Sequence, residues 1–245
     1  MKTKLFFIAS AIVLLSACSQ ETPDINKYVT DCEGNVYPVV KIGYQYWMAE
    51  NLKCTKYDTK SEKAGQTLST SDNETDAPYY TDGRQTITDY SDNLTDAQRE
   101  KFGLLYNWAA AAGLTESEST AQTVAFDTIR QGICPNGYHL PTSAEWDILT
   151  NYCGGEEVTG DKIKTTTGWY NDGNGTDSYG LAVLPSGYAS GGTADGVGSR
   201  AYFWSSDATS DQKAYETYIY SGYGDLSNYS EFKYFAQSVR CVRDN

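Results

Sequence analysis

The sequence predicts an α+β domain with antiparallel strands and two main helices, and three observations predict it. Strand-like runs occupy the front and the back of the chain while both strong helix signals lie in the middle, an order that segregates strands from helices. Tyr is abundant at 21, with 5 Trp, whereas Leu, Ile and Met are sparse, a balance that suits strands, turns and aromatic packing. The sharpest local signal is a helix start, Leu140-Pro-Thr-Ser-Ala-Glu-Trp146.

Residues 1–17 read as an export signal outside the fold. Lys2 and Lys4 precede an apolar run from Leu5 to Leu15, then Ser16 and Ala17. The run is too short to span a bilayer, which takes about 20 residues, but suits a signal-peptide core. Residues 18–28 follow as a tether, with Glu21 and Asp24 early in it.

Val36–Ile42 and Gln45–Leu52 flank Gly43-Tyr44 and read as a hairpin, with Pro38 keeping the first strand at a sheet edge. Residues 58–95 are polar, rich in Ser, Thr and Asp, and read as a surface insertion. Thr95-Asp-Ala-Gln98 fits a capping box, and Phe102, Leu105, Trp108 and Ala109 continue at helical spacing, predicting one helix to about Ala112. Residues 115–130 read as a second insertion with a short helix. Thr142 and Glu145 form the second capping box, with Leu140 and Trp146 placed as its hydrophobic staple; that helix stops at Gly154-Gly155. Strands are then expected at Gly180–Pro185, Tyr202–Ser206, Ala214–Tyr220 and Ser238–Val242.

Charge excludes one class of partner. Removing Lys2 and Lys4 with the leader takes the formal charge from −13 to about −15, with no basic stripe to offset it, so nucleic acid is not a partner. The single histidine, His139, rules out multi-histidine metal sites. Any Ser-His-Asp or Cys-His arrangement would have to run through it; beside Tyr138 and Leu140 it reads as a structural, hydrogen-bonded residue. Cys18 apart, five cysteines remain, an odd number with no CxxC.

Leu15-Ser16-Ala17-Cys18 resembles the lipobox of bacterial lipoproteins, which implies cleavage before Cys18 and its lipidation. Several acyl chains anchor stably where one does not, at about 0.8 kcal/mol per buried methylene. The expected localisation is an outer-membrane lipoprotein, exposed at the surface because early acidic residues such as Glu21 and Asp24 accompany surface export in some Gram-negative lipoproteins, with a periplasm-facing anchor as the alternative. Downstream, Val40–Gly43, Trp47–Leu52, Gly103–Trp108, Cys134–Thr142 and Glu145-Trp146 come in a set order. Gly175–Gly180, Leu184–Tyr188, Phe203–Ser206 and Ser238–Asp244 complete the series. It resembles the Fibrobacter succinogenes major paralogous domain (FISUMP) over residues 29–245, apart from the two insertions. Leu140–Trp146 is also similar to the Leu-Pro-Thr-x-x-Glu-Trp signature of formylglycine-generating, sulfatase-modifying-factor domains. That second likeness implies a C-type-lectin-like fold, whose termini come together. It therefore pairs Cys134 with Cys241, leaves Cys32 with Cys54 as a second pairing, and makes Cys153 the odd thiol. The copper-using oxidase chemistry of formylglycine-generating domains is not expected, because their Cys-His-x-x-Tyr-Cys type of motif is absent.

Two regions are candidate sites. Asp172, Asn174 and Asp177 in Asn171–Asp177 offer alternating oxygens for calcium, the one candidate cofactor. The competing reading is a turn capped by its own side chains, and the Glu-Pro-Asn or Gln-Pro-Asp triplet of lectin calcium sites is missing. Tyr215, Tyr218, Tyr220, Tyr223, Tyr229 and Tyr234 crowd the last third and could stack on sugars or anchor a protein, or partly fill the core. Trp146 and Trp204 are assigned to the core. The expectation is a lectin-like binding module for a glycan or surface protein rather than an enzyme. A structural subunit of a surface assembly or fimbria, and a divergent enzyme of the formylglycine-generating fold, are the alternatives.

Overall fold

Burial along Val36–Ile42 shows why the front of the chain pairs with itself: the two-residue period sends Tyr37 and Val39 into one core cluster and Ile42, on the opposite face, into another, while Lys41 is exposed. The computed structural model describes residues 26–70, 77–81, 95–121, 129–191 and 193–244. The leader, Cys18 and the tether up to residue 25 lie outside them. β1 (Tyr28–Thr30), β2 (Val36–Ile42) and β3 (Gln45–Met48) form an antiparallel meander, turning at Gly43-Tyr44 as expected. Pro38 does not put β2 at an edge, because β1 pairs on its other side. The proline is tolerated because that pairing is only three residues long and ends at Pro38, whose carbonyl accepts the Ala49 N–H.

The polar stretch 58–95 is not wholly a surface excursion. In its described parts Leu68 and Tyr79 are buried, and β4 (Ser69–Thr70) and β5 (Tyr79–Thr81) form a small sheet with β6 (Leu105–Tyr106). Nor is 95–112 one helix. The Thr95–Gln98 box starts α1 (Asp96–Glu100), but the chain breaks at Gly103, φ +69°, where a Cβ would lie 2.3 Å from the Leu52 carbonyl oxygen. It passes through β6, and Asn107 caps a second helix, α2 (Trp108–Ala112), buried throughout. The second insertion does carry a short helix, α3 (Glu116–Ser119).

β7 (Tyr138–His139) leads into α4 (Ser143–Cys153), with the Thr142–Glu145 box formed reciprocally and Gly154 as its left-handed stop. The staple is not a shared contact: Leu140 belongs to one core cluster and Trp146 to the other. After α5 (Glu156–Ile163), Gly180–Pro185 contributes a single bridge, Val183 to Lys164, rather than a strand. The hairpin β8 (Tyr188–Ser190) and β9 (Thr193–Asp195) follows, then the meander β10 (Arg200–Ala208), β11 (Lys213–Tyr220) and β12 (Ser227–Phe232). The closing strand β13 (Val242–Arg243) is shorter than Ser238–Val242 suggested. It inserts between β3 and β7, giving the order β1-β2-β3-β13-β7.

The result is β-rich, with mostly antiparallel pairing and five short helices among the described residues. Trp47, Trp146 and Phe203 pack ring against ring where both large sheets meet α4, with centroids 4.6 and 5.6 Å apart. Truncating such an aromatic residue to Ala typically costs about 3–5 kcal/mol. No helix of the described residues is long and apolar enough to cross a membrane.

Candidate functional site: a tyrosine row on one sheet face

Register builds the site. Tyr202 lies opposite Tyr218 and Arg200 opposite Tyr220, while Glu216 faces Tyr229 on β12. The two-residue period sends Ala201, Phe203, Thr217 and Ile219 into the core. Arg200, Tyr202, Tyr218, Tyr220 and Tyr229 take the other face and stay half-buried or exposed. Tyr188 joins from β8 and Phe235 from beyond β12. The rings run Phe235–Tyr188–Tyr202–Tyr218–Tyr229, with successive centroids 5.5, 5.2, 4.9 and 6.2 Å apart. Tyr188 is held there by a turn only glycine fits: Gly187 has φ +68°, and a Cβ would lie 2.2 Å from the Asp195 carbonyl oxygen.

Charge borders the row. Arg200 lies over the Tyr220 ring at 5.8 Å and 4.0 Å from Asp195, and its Nε is buried with no hydrogen-bond partner. Within the face Glu216 of β11 is buried, with Gln237 donating its side-chain amide to it. Burial pushes the Glu216 carboxyl up to about 7, with nearby Glu231 adding to the effect. Burial likewise raises the Tyr188, Tyr202 and Tyr218 phenols, which stay neutral and able both to donate and to accept.

Of the six tyrosines named from sequence, Tyr218, Tyr220 and Tyr229 share this face. Tyr223 packs tilted against Tyr220 with centroids 5.7 Å apart, and Tyr234 packs on Phe232 and Phe235. Tyr215 lies on the opposite face. Tyr188, Tyr202 and Phe235 belong to the row and were not singled out; the face Tyr202 shares with Tyr218 follows from strand register.

The model of the Fibrobacter succinogenes major domain matches residues 40–243. The chain belongs to that family. No curated protein and no solved structure matches it.

Outside the row, the other residues named from sequence in this Fibrobacter succinogenes major domain fall into place as follows. Cys134 and Cys241 are bonded, as expected, tying the segment before β7 to the segment before β13. Cys32 and Cys54 are thiols whose sulfurs lie 3.7 Å apart, and Cys153 is a buried thiol. His139 has both ring nitrogens taken, Nδ1 by Asp244 at 2.7 Å and Nε2 by Glu145 at 2.8 Å. Burial alone would lower its pKa, but the two carboxylates outweigh it and the net shift is upward. In the 171–177 loop, the Asn174 side-chain oxygen accepts the Trp169 N–H and Asp177 accepts the Ala182 N–H, while Asp172 is exposed. Among the described residues, no three His, Cys, Asp or Glu side chains converge as a metal set.

Proposed function

We propose that this chain is a lipid-anchored binding module of C-type-lectin-like fold, displayed at the outer membrane through Cys18, that recognises a glycan or a protein rather than catalysing a reaction. The observation that carries the reading is the row Phe235–Tyr188–Tyr202–Tyr218–Tyr229, because such rings are normally driven into the core and here line one continuous open face. Their apolar faces suit the C–H surface of a sugar or an apolar side chain, and the phenols suit hydroxyl or carbonyl groups. The partnerless Nε of Arg200 calls for one more acceptor, which a ligand would bring. The occupied nitrogens of His139 support the non-catalytic reading.

One observation favours a structural subunit of a surface assembly. β12 is the outer strand of its sheet, and an open edge can add a strand from a sister protein.

A glycan-array and surface-proteome screen tests both readings. Saturable binding that Tyr202→Ala and Tyr218→Ala abolish is the expected result. Binding lost on chelation alone would move the site to calcium at Asp172, Asn174 and Asp177. Co-purification with sister surface proteins and no glycan binding would leave the subunit reading ahead.

A further inference from the structure

A second feature lies away from the tyrosine row, between α1, the segment after β3 and the 180–184 loop. Arg240 is 2% exposed, on the segment leading into β13. Its Nε donates to the Asn51 side-chain oxygen, Nη1 to the Met48 and Leu181 carbonyls at 3.1 and 2.6 Å, and Nη2 to the Ala182 carbonyl at 3.2 Å. All four acceptors are neutral. No carboxylate of the described residues comes within 4.0 Å of the guanidinium, although a buried charge ordinarily has an ionic partner. A guanidinium has five N–H donors and stays charged at neutral pH, so one N–H remains, on Nη2.

Arg240 and Ala182 both line a cleft of about 360 Å³. Its walls are mostly apolar, among them Pro38, Ala49 and Leu184, and Lys101 stands at the rim paired with Glu50 at 3.0 Å. Ala182 itself is held at φ +53°, with its N–H on Asp177, a conformation costly for a residue with a Cβ and often kept where function requires it. The volume lies in the lower range of small-ligand pockets.

We propose that this cleft binds a small organic carboxylate, its apolar body against Pro38, Ala49 and Leu184 and its carboxylate on the remaining N–H of Arg240 with Lys101 alongside. Glu50 and Asp177 act on the Arg240 charge from beyond 4.0 Å without bonding it. A monoanion supplies the direct ion pair Arg240 lacks, whereas a dianion such as phosphate is repelled more strongly by Glu50 in the cleft wall and has no apolar body to bury. A neutral ligand of the same shape leaves the buried cation as it was.

The test uses benzoate, benzamide and inorganic phosphate as probes against the full chain, read by saturation-transfer NMR and titration. Saturable benzoate binding is expected, with benzamide and phosphate weaker by about tenfold or more. Ala97→Phe, on the exposed rim, should block the cleft without touching the core, and Arg240→Gln should remove carboxylate selectivity. Should Arg240→Gln fail to fold, the rim variant still decides. Tyr202→Ala and Tyr218→Ala should leave benzoate binding unchanged, which separates this site from the tyrosine row. Equal binding of benzoate and benzamide, phosphate binding as tightly as benzoate, no saturation, or indifference to Ala97→Phe would each overturn the proposal.

Discussion

Around the closing strand of the five-stranded sheet, Cys241 is bonded to Cys134, His139 is gripped by two carboxylates, and Arg240 donates to four acceptors, all of them buried. On the three-stranded sheet β10-β11-β12, the rings of Tyr202 and Tyr218 are half-buried, Tyr229 is 58% exposed, and no disulfide crosses the strands. The first region spends covalent and ionic ties on joining the end of the chain to its middle and front. The second keeps large aromatic surface at the solvent boundary, where it adds less to folding than full burial would. If the proposed binding function holds, stability and recognition are carried by different sheets, and perturbing each should move a different observable.

The largest effect is expected at the disulfide. Cys134 and Cys241 are 107 residues apart, and closing a loop of about that length is worth up to ~4.7 kcal/mol in the chain-entropy model. The double Ser variant should lower the denaturant midpoint accordingly, with tyrosine-row binding surviving whenever the fold does. Binding lost while the fold persists would break the division of labour.

Next comes the pair at the other end of the same sheet. Cys32 is exposed and Cys54 buried, and their sulfurs already touch. In an oxidising compartment, thiol–disulfide exchange would carry off two electrons and two protons and bond them, closing a loop worth roughly 3 kcal/mol. Alkylation without reduction, read by mass, should leave one labelled cysteine among the described residues, Cys153, after denaturation of protein matured in an oxidising compartment. Three labelled positions would show that the pair stays reduced.

Much of the first region was legible because its signals are local. The Gly43-Tyr44 turn, the Thr142–Glu145 capping box and Gly154 each act within a few residues, so β2, β3 and α4 could be read directly. The Thr95–Ala112 helix was misread because periodicity says nothing of the Leu52 carbonyl, which accepts the Leu104 N–H and leaves room only for a glycine at position 103. The tyrosine row was legible only in part. Composition flags tyrosines, but which face each takes depends on register, and register joins residues far apart: Tyr188 meets Tyr202, and Phe235 meets Tyr188, across turns no local pattern specifies. The alternation of β11 alone could have separated Tyr215 from Tyr218 and Tyr220.

A smaller effect should appear at the buried carboxyl beside the row. Glu216 has its folded pKa raised from 4.5 to about 7 by burial. A carboxyl raised in the folded state favours folding below its unfolded pKa, and that favour is lost as pH climbs through about 7. Glu216→Gln, which keeps the shape without the charge, should therefore gain roughly 1–3 kcal/mol at pH 8 and little at pH 4. Thermal melts at the two pH values check it; an equal shift at both would mean the carboxyl is not the titrating group.

The smallest effect on stability, and the sharpest on function, is expected at Tyr229. An exposed ring on β12 can be truncated at a cost to folding within about 0.5 kcal/mol, yet a ring central to recognition costs about 2 kcal/mol or more of binding. Tyr215, 39% exposed on the opposite face of the same sheet, is the matched control. Both Ala variants should melt like the parent, and only Tyr229→Ala should lose the partner captured in the screen. Equal losses from both would mean that the partner wraps the edge of the sheet, as a sister strand added to β12 would, because only an occupant of that edge reaches both faces at once.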